Sequence, residues 1–276
     1  MPNDKVYKIA FSDIDGTLLN AERAPSVMLR SEVARLTANN TPFILISSRM
    51  PRAMTWIQDA MGITGSPLVC YNGGLVLVDD EVVHSEVIPL HIIRTLWDFQ
   101  RGTGLSVQLF HGEEWYVESM DFYAKREENN TRVTPSVRQL QATITDWKVR
   151  NIGAHKIMMM GEPEEIDVLV GQLSRVFGKD LHLYRSKDTY LEIANKNISK
   201  LTGIRRVLEQ KYPEFELADC VAFGDNYNDL EMLKGVGLGV AVANARPEVL
   251  AVADLVAATA KEDGVALTLR RLFTGD

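Results

Sequence analysis

Cysteine is nearly absent from the 276-residue chain: there are two, Cys70 and Cys220, each inside an apolar, strand-like run. A disulfide framework and a CxxC metal site are both excluded, and the two thiols read as inert core residues. Long hydrophobic runs are missing as well. No stretch approaches the roughly 18 continuous apolar residues of a membrane-spanning helix, and Met1-Pro2-Asn3-Asp4-Lys5 lacks the apolar region of a signal peptide. The expectation is no membrane partner, with the cytoplasm as the default compartment. Positive charge is in deficit: 30 Lys plus Arg against 37 Asp plus Glu give a net charge of −7, the wrong sign for a protein whose main task is to grip nucleic acid. The 19 glycines and 10 prolines follow no period, which excludes collagen-like and low-complexity chains. Histidine is sparse and scattered (His84, His91, His111, His155, His182), so a His-based metal centre is not expected. What remains is an ordinary globular composition, 46% hydrophobic, for which a small ligand is the expected partner. Nothing in it fixes an oligomeric state.

Short apolar runs rich in β-branched residues alternate with longer segments of helical period, the pattern of an α/β protein with a mostly parallel sheet. Strands are predicted over 8–13, 42–47 and 68–71, with a helix carrying Val27, Val33 and Leu36 after the first and a helix opened by Pro51 after the second. Near Leu75 the rhythm changes to paired strands, 75–78 and 82–88, around Asp79-Asp80-Glu81. From there the chain reads as an inserted α+β module: helix 90–101, strands 106–110 and 114–118, helix 121–129, strand 156–160 and helix 164–177. The parallel rhythm returns with helix 199–212, strand 220–223, a helix from Asp229, strand 238–242 and closing helices near Pro247 and Asp263. The expected organisation is a discontinuous core, 1–82 and 191–276, around an inserted domain, 83–190.

In open parallel sheets, ligands bind beyond the carboxyl ends of the strands, so polar residues that end apolar strands are read first. The first strand ends in Asp13-Ile14-Asp15-Gly16-Thr17, the second in Ser47-Ser48-Arg49, and the strand after the insertion in Gly224-Asp225-Asn226-Tyr227-Asn228-Asp229; Lys200 opens the helix after the insertion. Two carboxylates two residues apart at a strand end, with Asp225 and Asp229 converging on them, repel one another by about 4 kcal/mol per close pair at an effective dielectric near 20. Such a cluster calls for a bound cation or a retained proton. All-oxygen donors without His or Cys suit Mg²⁺ completed by a substrate phosphate. Each piece also has a plainer reading. Asp-x-Asp-Gly is often only a turn, a serine at a strand end is often a helix cap, and a lone lysine is usually solvated.

The run Asp13-Ile14-Asp15-Gly16-Thr17-Leu18-Leu19 resembles the first signature of the haloacid-dehalogenase-like phosphohydrolases, and Gly224-Asp225-Asn226-Tyr227-Asn228-Asp229-Leu230-Glu231-Met232-Leu233 resembles their fourth. The second signature falls on Ser47 and the third on Lys200. The place of the insertion, Asn72-Gly73-Gly74 and Asn244-Ala245 are similar to the Cof-type branch (subfamily IIB). The resemblance implies a Rossmann-like core with a mobile α/β cap and Mg²⁺-dependent hydrolysis of phosphate monoesters, most plausibly sugar phosphates. Carried over by position, Asp13 is the nucleophile that forms an aspartyl-phosphate, and Asp15 the general acid and then base. The metal falls to Asp13, to Asp15 through its backbone carbonyl, to Asp225 and to Asp229. Ser47 and Lys200 are to hold the phosphoryl oxygens, with Ser48, Asn72, Gly73 and Asn228 as further phosphate or substrate contacts. Ser47-Ser48-Arg49 stands where most relatives have Thr-Gly-Arg, which keeps the hydroxyl but changes the residue after it. Rival readings are a phosphomutase or phosphotransferase with the same intermediate, and an inactive sensor of a phosphorylated ligand. A dinucleotide-binding reading of Gly235-Val236-Gly237-Leu238-Gly239 fails on spacing and place in the chain.

Overall fold

A computed structural model describes residues 6–273, which divide into two compact units: 6–49, 54–84 and 199–273 form the first, and 50–53 with 85–198 the second. The first is built on eight strands: β1 (Ile9–Ser12), β2 (Phe43–Ile46), β3 (Leu68–Cys70), β4 (Leu75–Val78) and β5 (Glu81–Ser85), then β12 (Cys220–Gly224), β13 (Leu238–Val242) and β14 (Leu255–Ala257) after the insertion. Their order is β14-β13-β12-β1-β2-β3-β4-β5, parallel from β14 to β3 and antiparallel from β3 to β4. β1, β2, β3 and β12 are buried along their whole length, as expected of parallel strands covered on both faces. Cys70 in β3 and Cys220 in β12 are buried and not disulfide-bonded.

The helices of this unit follow from their apolar stripes. α1 (Val27–Ala38) is capped by Ser26, whose side chain accepts the N–H of Leu29, and buries Leu29, Val33 and Leu36. Val27, expected on that stripe, lies in the first turn and is exposed. Glu32 of α1 is buried and accepts from Arg35 Nε at 2.9 Å and from Arg270 Nε at 2.8 Å, tying α1 to α10 (Gly264–Leu272). α2 (Arg52–Met61) starts just after Pro51. In α7 (Lys200–Lys211) the buried positions are Lys200, Gly203, Ile204, Val207 and Leu208, so the lysine occupies the first place on the apolar stripe. Ser199 caps α7 in a reciprocal box with Thr202. α8 (Leu230–Gly235) and α9 (Pro247–Leu250) complete the unit.

The second unit has a six-stranded sheet ordered β10-β11-β9-β6-β7-β8, from β6 (Ser106–His111), β7 (Glu114–Val117), β8 (Ser136–Val137), β9 (Lys156–Met160), β10 (Leu181–Lys187) and β11 (Tyr190–Asn195). It is antiparallel apart from β7 with β8. Leu109, Ile157, Met159, Leu191 and Ile193 face a core shared with α3 (Leu90–Gln100), α5 (Leu140–Arg150) and α6 (Pro163–Phe177). α4 (Phe122–Thr131) is capped by Asp121. Two expectations change. The anticipated break between 190 and 191 falls inside the sheet of this unit, because β11 pairs on both sides, with β9 and with β10. α5 and β10 also go beyond the elements read from sequence.

α7 reaches the first sheet by close approach. Gly73 has a left-handed backbone (φ 96°), and a Cβ there would run into the carbonyl oxygen of Ser199 at the start of α7. Gly73→Ala is therefore expected to destabilise the protein by at least about 2 kcal/mol, from backbone strain plus overpacking, with loss of any activity that needs Lys200; unchanged urea unfolding would refute the packing account. The pKa of Glu32 is subject to an upward push from burial, but the hydrogen bonds and charges of Arg270 and Arg35 outweigh it and lower the value. A depressed carboxylate stabilises above its unfolded pKa and loses that contribution as pH falls through the folded one. Glu32→Gln should cost about 1 kcal/mol at neutral pH, and the gap to wild type should close below about pH 4; a pH-independent gap in chemical denaturation would contradict this.

Candidate active site

β1 pairs with β2 on one side and with β12 on the other, so the residues leaving these three strands emerge side by side at the point where strand order reverses. Asp13 follows β1, Ser47 follows β2 and Asp225 follows β12. Lys200 arrives from the capped start of α7, and its ammonium donates to Asp13 Oδ1 and, at 2.5 Å, to Asp229 Oδ1. Lys200 and Asp229 are fully buried and Asp13 nearly so. An unpaired ammonium at that depth would cost several kcal/mol. Burial works to strip its proton, but Asp13 and Asp229 outweigh that and raise Lys200 above the ordinary lysine range, so it stays charged.

The carboxylates carry the complementary strain. Burial, with smaller additions from Asp229 and Asp225, pushes Asp13 well above the usual carboxylate range against the opposing pull of Lys200. Asp225 is pushed up to about 6, first by burial and then by Asp229, while Thr17 Oγ1 donates to its Oδ1 at 2.7 Å. Asp229 Oδ2 accepts the N–H groups of Asp225 and Asn226, each at 2.9 Å, which knots the loop after β12 around one side chain. Gly16 permits the approach of the two loops: its φ is 86°, and a Cβ there would stand 2.5 Å from Asp225 Oδ2.

Asp13, Asp225 and Asp229 can each turn an oxygen toward a common point, with those atoms within 4.8 Å of one another. With all three carboxylates ionised, as an added cation would favour, they and the one ammonium leave two negative charges, the amount a divalent cation neutralises. The donors are all oxygen, which suits a hard ion. The residues present fit a divalent metal. The side chain of Asp15 does not join them. Arg49, whose own side chain is buried, donates to it twice, Nε to Oδ2 at 2.6 Å and Nη2 to Oδ1 at 2.8 Å, and Arg23 Nη2 donates to Oδ1 at 2.7 Å. Desolvation alone would raise the pKa of Asp15; the hydrogen bond and charge of Arg49, followed by those of Arg23, overcome it and hold the group below its ordinary value.

The remaining expected residues have distinct places. Ser47 is buried; its Oγ accepts the N–H of Arg49 at 3.3 Å and its carbonyl accepts the N–H of Asn72 at 2.8 Å. Ser48 is half-buried in the turn between them. Asn72, buried with a left-handed backbone, accepts at Oδ1 from Asn228 Nδ2 at 2.9 Å, linking the end of β3 to the loop after β12. Gly73 packs against α7 and brings no side chain to the site. Four further residues complete the arrangement: Thr17, Arg23, Arg49 and Asn244, whose Nδ2 donates to the Gly16 carbonyl and whose Oδ1 accepts the N–H of Ala260, each at 2.8 Å. Arg49 was visible as the charge that ends the second strand, whereas nothing in the sequence pairs Thr17 with Asp225 or Arg23 with Asp15.

Comparison with known proteins bears on this geometry. Residues 10–269 match the haloacid dehalogenase-like hydrolase family. A putative phosphatase of Haemophilus influenzae is 34% identical over 273 residues, 97% of this chain and 99% of the relative. The crystal structure of a haloacid dehalogenase-like hydrolase from Bacteroides thetaiotaomicron superposes with a TM-score of 0.87 at 27% identity, over 97% of this chain and all of that one (100%). The subclass IIB sugar phosphatase BT4131 shares the fold, with a TM-score of 0.79 at 22% identity over 96% of this chain and 98% of its own. A chain matched over nearly its full length, with the acidic trio and buried lysine at the strand ends, belongs to the haloacid dehalogenase-like hydrolase family.

Proposed function

We propose that the protein is a Mg²⁺-dependent phosphatase of small phosphorylated metabolites, sugar phosphates foremost, that works through an aspartyl-phosphate on Asp13. The observation that carries this reading is the buried Lys200 ammonium held between Asp13 and Asp229 beside Asp225. The sugar-phosphate part draws only on the likeness in fold to BT4131, a sugar phosphatase.

Asp13, Asp225 and Asp229 would hold the ion, with Asp229 also fixing the loop that carries Asp225. Bound there, it would supply positive charge to the phosphoryl oxygens. Lys200 engages only Oδ1 of Asp13, and burial makes that carboxylate more basic than an aspartate in water, hence a better nucleophile. In the first step an Asp13 oxygen forms a bond to phosphorus, the bond from phosphorus to the ester oxygen breaks, and the departing oxygen takes a proton from Asp15. In the second, a water oxygen attacks the phosphorus of the aspartyl-phosphate and gives a proton to Asp15; the bond from Asp13 to phosphorus breaks and inorganic phosphate leaves. The arginine-held Asp15 is ionised, the form needed to accept that second proton. An incoming phosphate dianion beside it raises its proton affinity and favours the form needed first. Ser47 and Lys200 would hold phosphoryl oxygens, with Ser48, Asn72, Gly73 and Asn228 around the same space. The stabilisation required is large, because monoester hydrolysis is among the slowest uncatalysed reactions known.

The test is phosphate release from a panel of phosphorylated metabolites and from p-nitrophenyl phosphate, with added Mg²⁺ and after chelation. Wild type should be active only with the metal, and Asp13→Asn inactive by a factor of at least about 10³; full turnover by Asp13→Asn, or activity indifferent to chelation, would end this reading. Asp15→Asn should lose roughly 10²-fold or more on esters with poor leaving groups and distinctly less on p-nitrophenyl phosphate, whose leaving group needs little protonation. Equal losses on both would count against the acid role.

A further inference from the structure

Arg23 sits in a small closed loop that precedes α1. Asn20 holds it together: its Oδ1 accepts the N–H groups of Glu22 at 3.1 Å and Ala24 at 3.0 Å, its N–H donates to the Ala24 carbonyl at 3.2 Å, and its carbonyl accepts the N–H of Arg23 at 3.1 Å. This pattern sets Arg23 in the left-handed region, φ 55°. That conformation carries a strain cost for a residue with a Cβ, and the ion pair it produces, with Arg23 and Asp15 side chains 48% and 42% exposed, contributes little to stability. The hydrogen bonds of Asn20 hold the pose, and the ion pair itself adds little to folding. Left-handed residues also close ordinary helix ends here, Arg132 and Asn151 among them, so a functional constraint must come from what the Arg23 side chain does.

The geometry at Asp15 supplies one. A carboxylate on an exposed turn next to glycine has more than one open rotamer. Arg49 fixes its plane with two parallel N–H bonds from one side, and Arg23 takes Oδ1 as a second donor from a separate loop. Two anchors from different segments prevent the swing that one anchor would allow. We propose that Arg23 is a positioning residue that, with Arg49, fixes the Asp15 carboxylate in the orientation from which it gives a proton to the leaving group; this rests on the role given to Asp15 above. Among the described residues the Arg23 side chain pairs only with Asp15, and with none of the carboxylates of Asp13, Asp225 and Asp229, so its removal should act on kcat through the leaving group and leave KM alone.

The experiment compares steady-state kinetics of Arg23→Asn, Arg23→Lys and Asp15→Asn with wild type, in Mg²⁺, on p-nitrophenyl phosphate and on phenyl phosphate, whose leaving group is much more basic. Asparagine tolerates the left-handed backbone, so Arg23→Asn should keep the melting temperature of wild type. Its kcat on phenyl phosphate should fall about tenfold, part of the 10²–10⁴ that a positioned acid provides. On p-nitrophenyl phosphate it should stay within about twofold, with KM unchanged on both. Arg23→Lys should recover part of the loss. The proposal is overturned by unchanged kcat on both esters, by equal loss on both, or by a rise in KM at constant kcat, which would make Arg23 a phosphate-binding residue. If Asp15→Asn separates the two esters and Arg23→Asn does not, this proposal alone falls; if Asp15→Asn does not separate them, the reading of Asp15 falls and takes it along.

Discussion

The arrangement rests on one buried ammonium. Lys200 is enclosed by Asp13 and Asp229, and those residues lie in loops that separate strands place side by side. Remove the positive charge and two carboxylates face each other, with Asp225 close by, inside a region where charge is poorly solvated. Remove either carboxylate and the ammonium loses the interactions that keep it protonated. The pair therefore acts as a constraint on the backbone: β1, β12 and the first turn of α7 must hold their relative places for the ammonium to keep both of its partners.

Around that constraint the loops are tied by short polar links. Thr17 reaches Asp225, Asn244 reaches the Gly16 carbonyl, Arg246 donates its N–H to the Asp225 carbonyl at 3.0 Å, and Asn228 meets Asn72. None is strong alone. Together they leave the acidic trio little freedom to spread apart under its own repulsion, and a site held in that way has its reorganisation cost met during folding. Membership of the haloacid dehalogenase-like hydrolase family accords with such preorganisation, since phosphoryl transfer depends on placement and charge more than on covalent chemistry supplied by side chains.

The fold was legible where the hydrophobic pattern was unambiguous. β1, β2, β3 and β12 are short and apolar with polar endings, so both the strands and the polar residues gathered at their ends could be read. Lys200 was readable only by its company: alone it reads as a solvated helix residue, and the polar strand endings around it, with the resemblance of its segment to the third signature, singled it out; its burial on the apolar stripe of α7 is seen only in the structure. The misses have physical causes. β10 runs Leu-His-Leu-Tyr-Arg-Ser-Lys with four of its seven residues polar, and α5 carries β-branched Thr143, Ile144 and Thr145 in succession, so neither has a clean signature. β11 buries residues on both faces and looks as much like a core strand as like one of the insertion. The side-chain direction of Asp15 was beyond reach: two residues after Asp13 it could have faced the same way, but the left-handed turn at Gly16 and two arginines decide otherwise.

The lysine and the aspartate it binds are 187 positions apart in sequence. A ribosome that has released the first strands has produced Asp13 without its partner, and must add the whole second unit before α7 and β12 exist. Until then the sheet ends at β1, an open parallel edge that only the last third of the polypeptide can close, and closure over so long a span is entropically slow. The second unit, contiguous from 85 to 198 apart from the short piece 50–53, has its own sheet and helices and can take shape while the rest waits. Birth order and competence are thus linked: the cluster of charges comes together only at the final stage of assembly, and a chain that stops short of residue 220 has neither the loop that carries Asp225 and Asp229 nor the strand that would seal its edge.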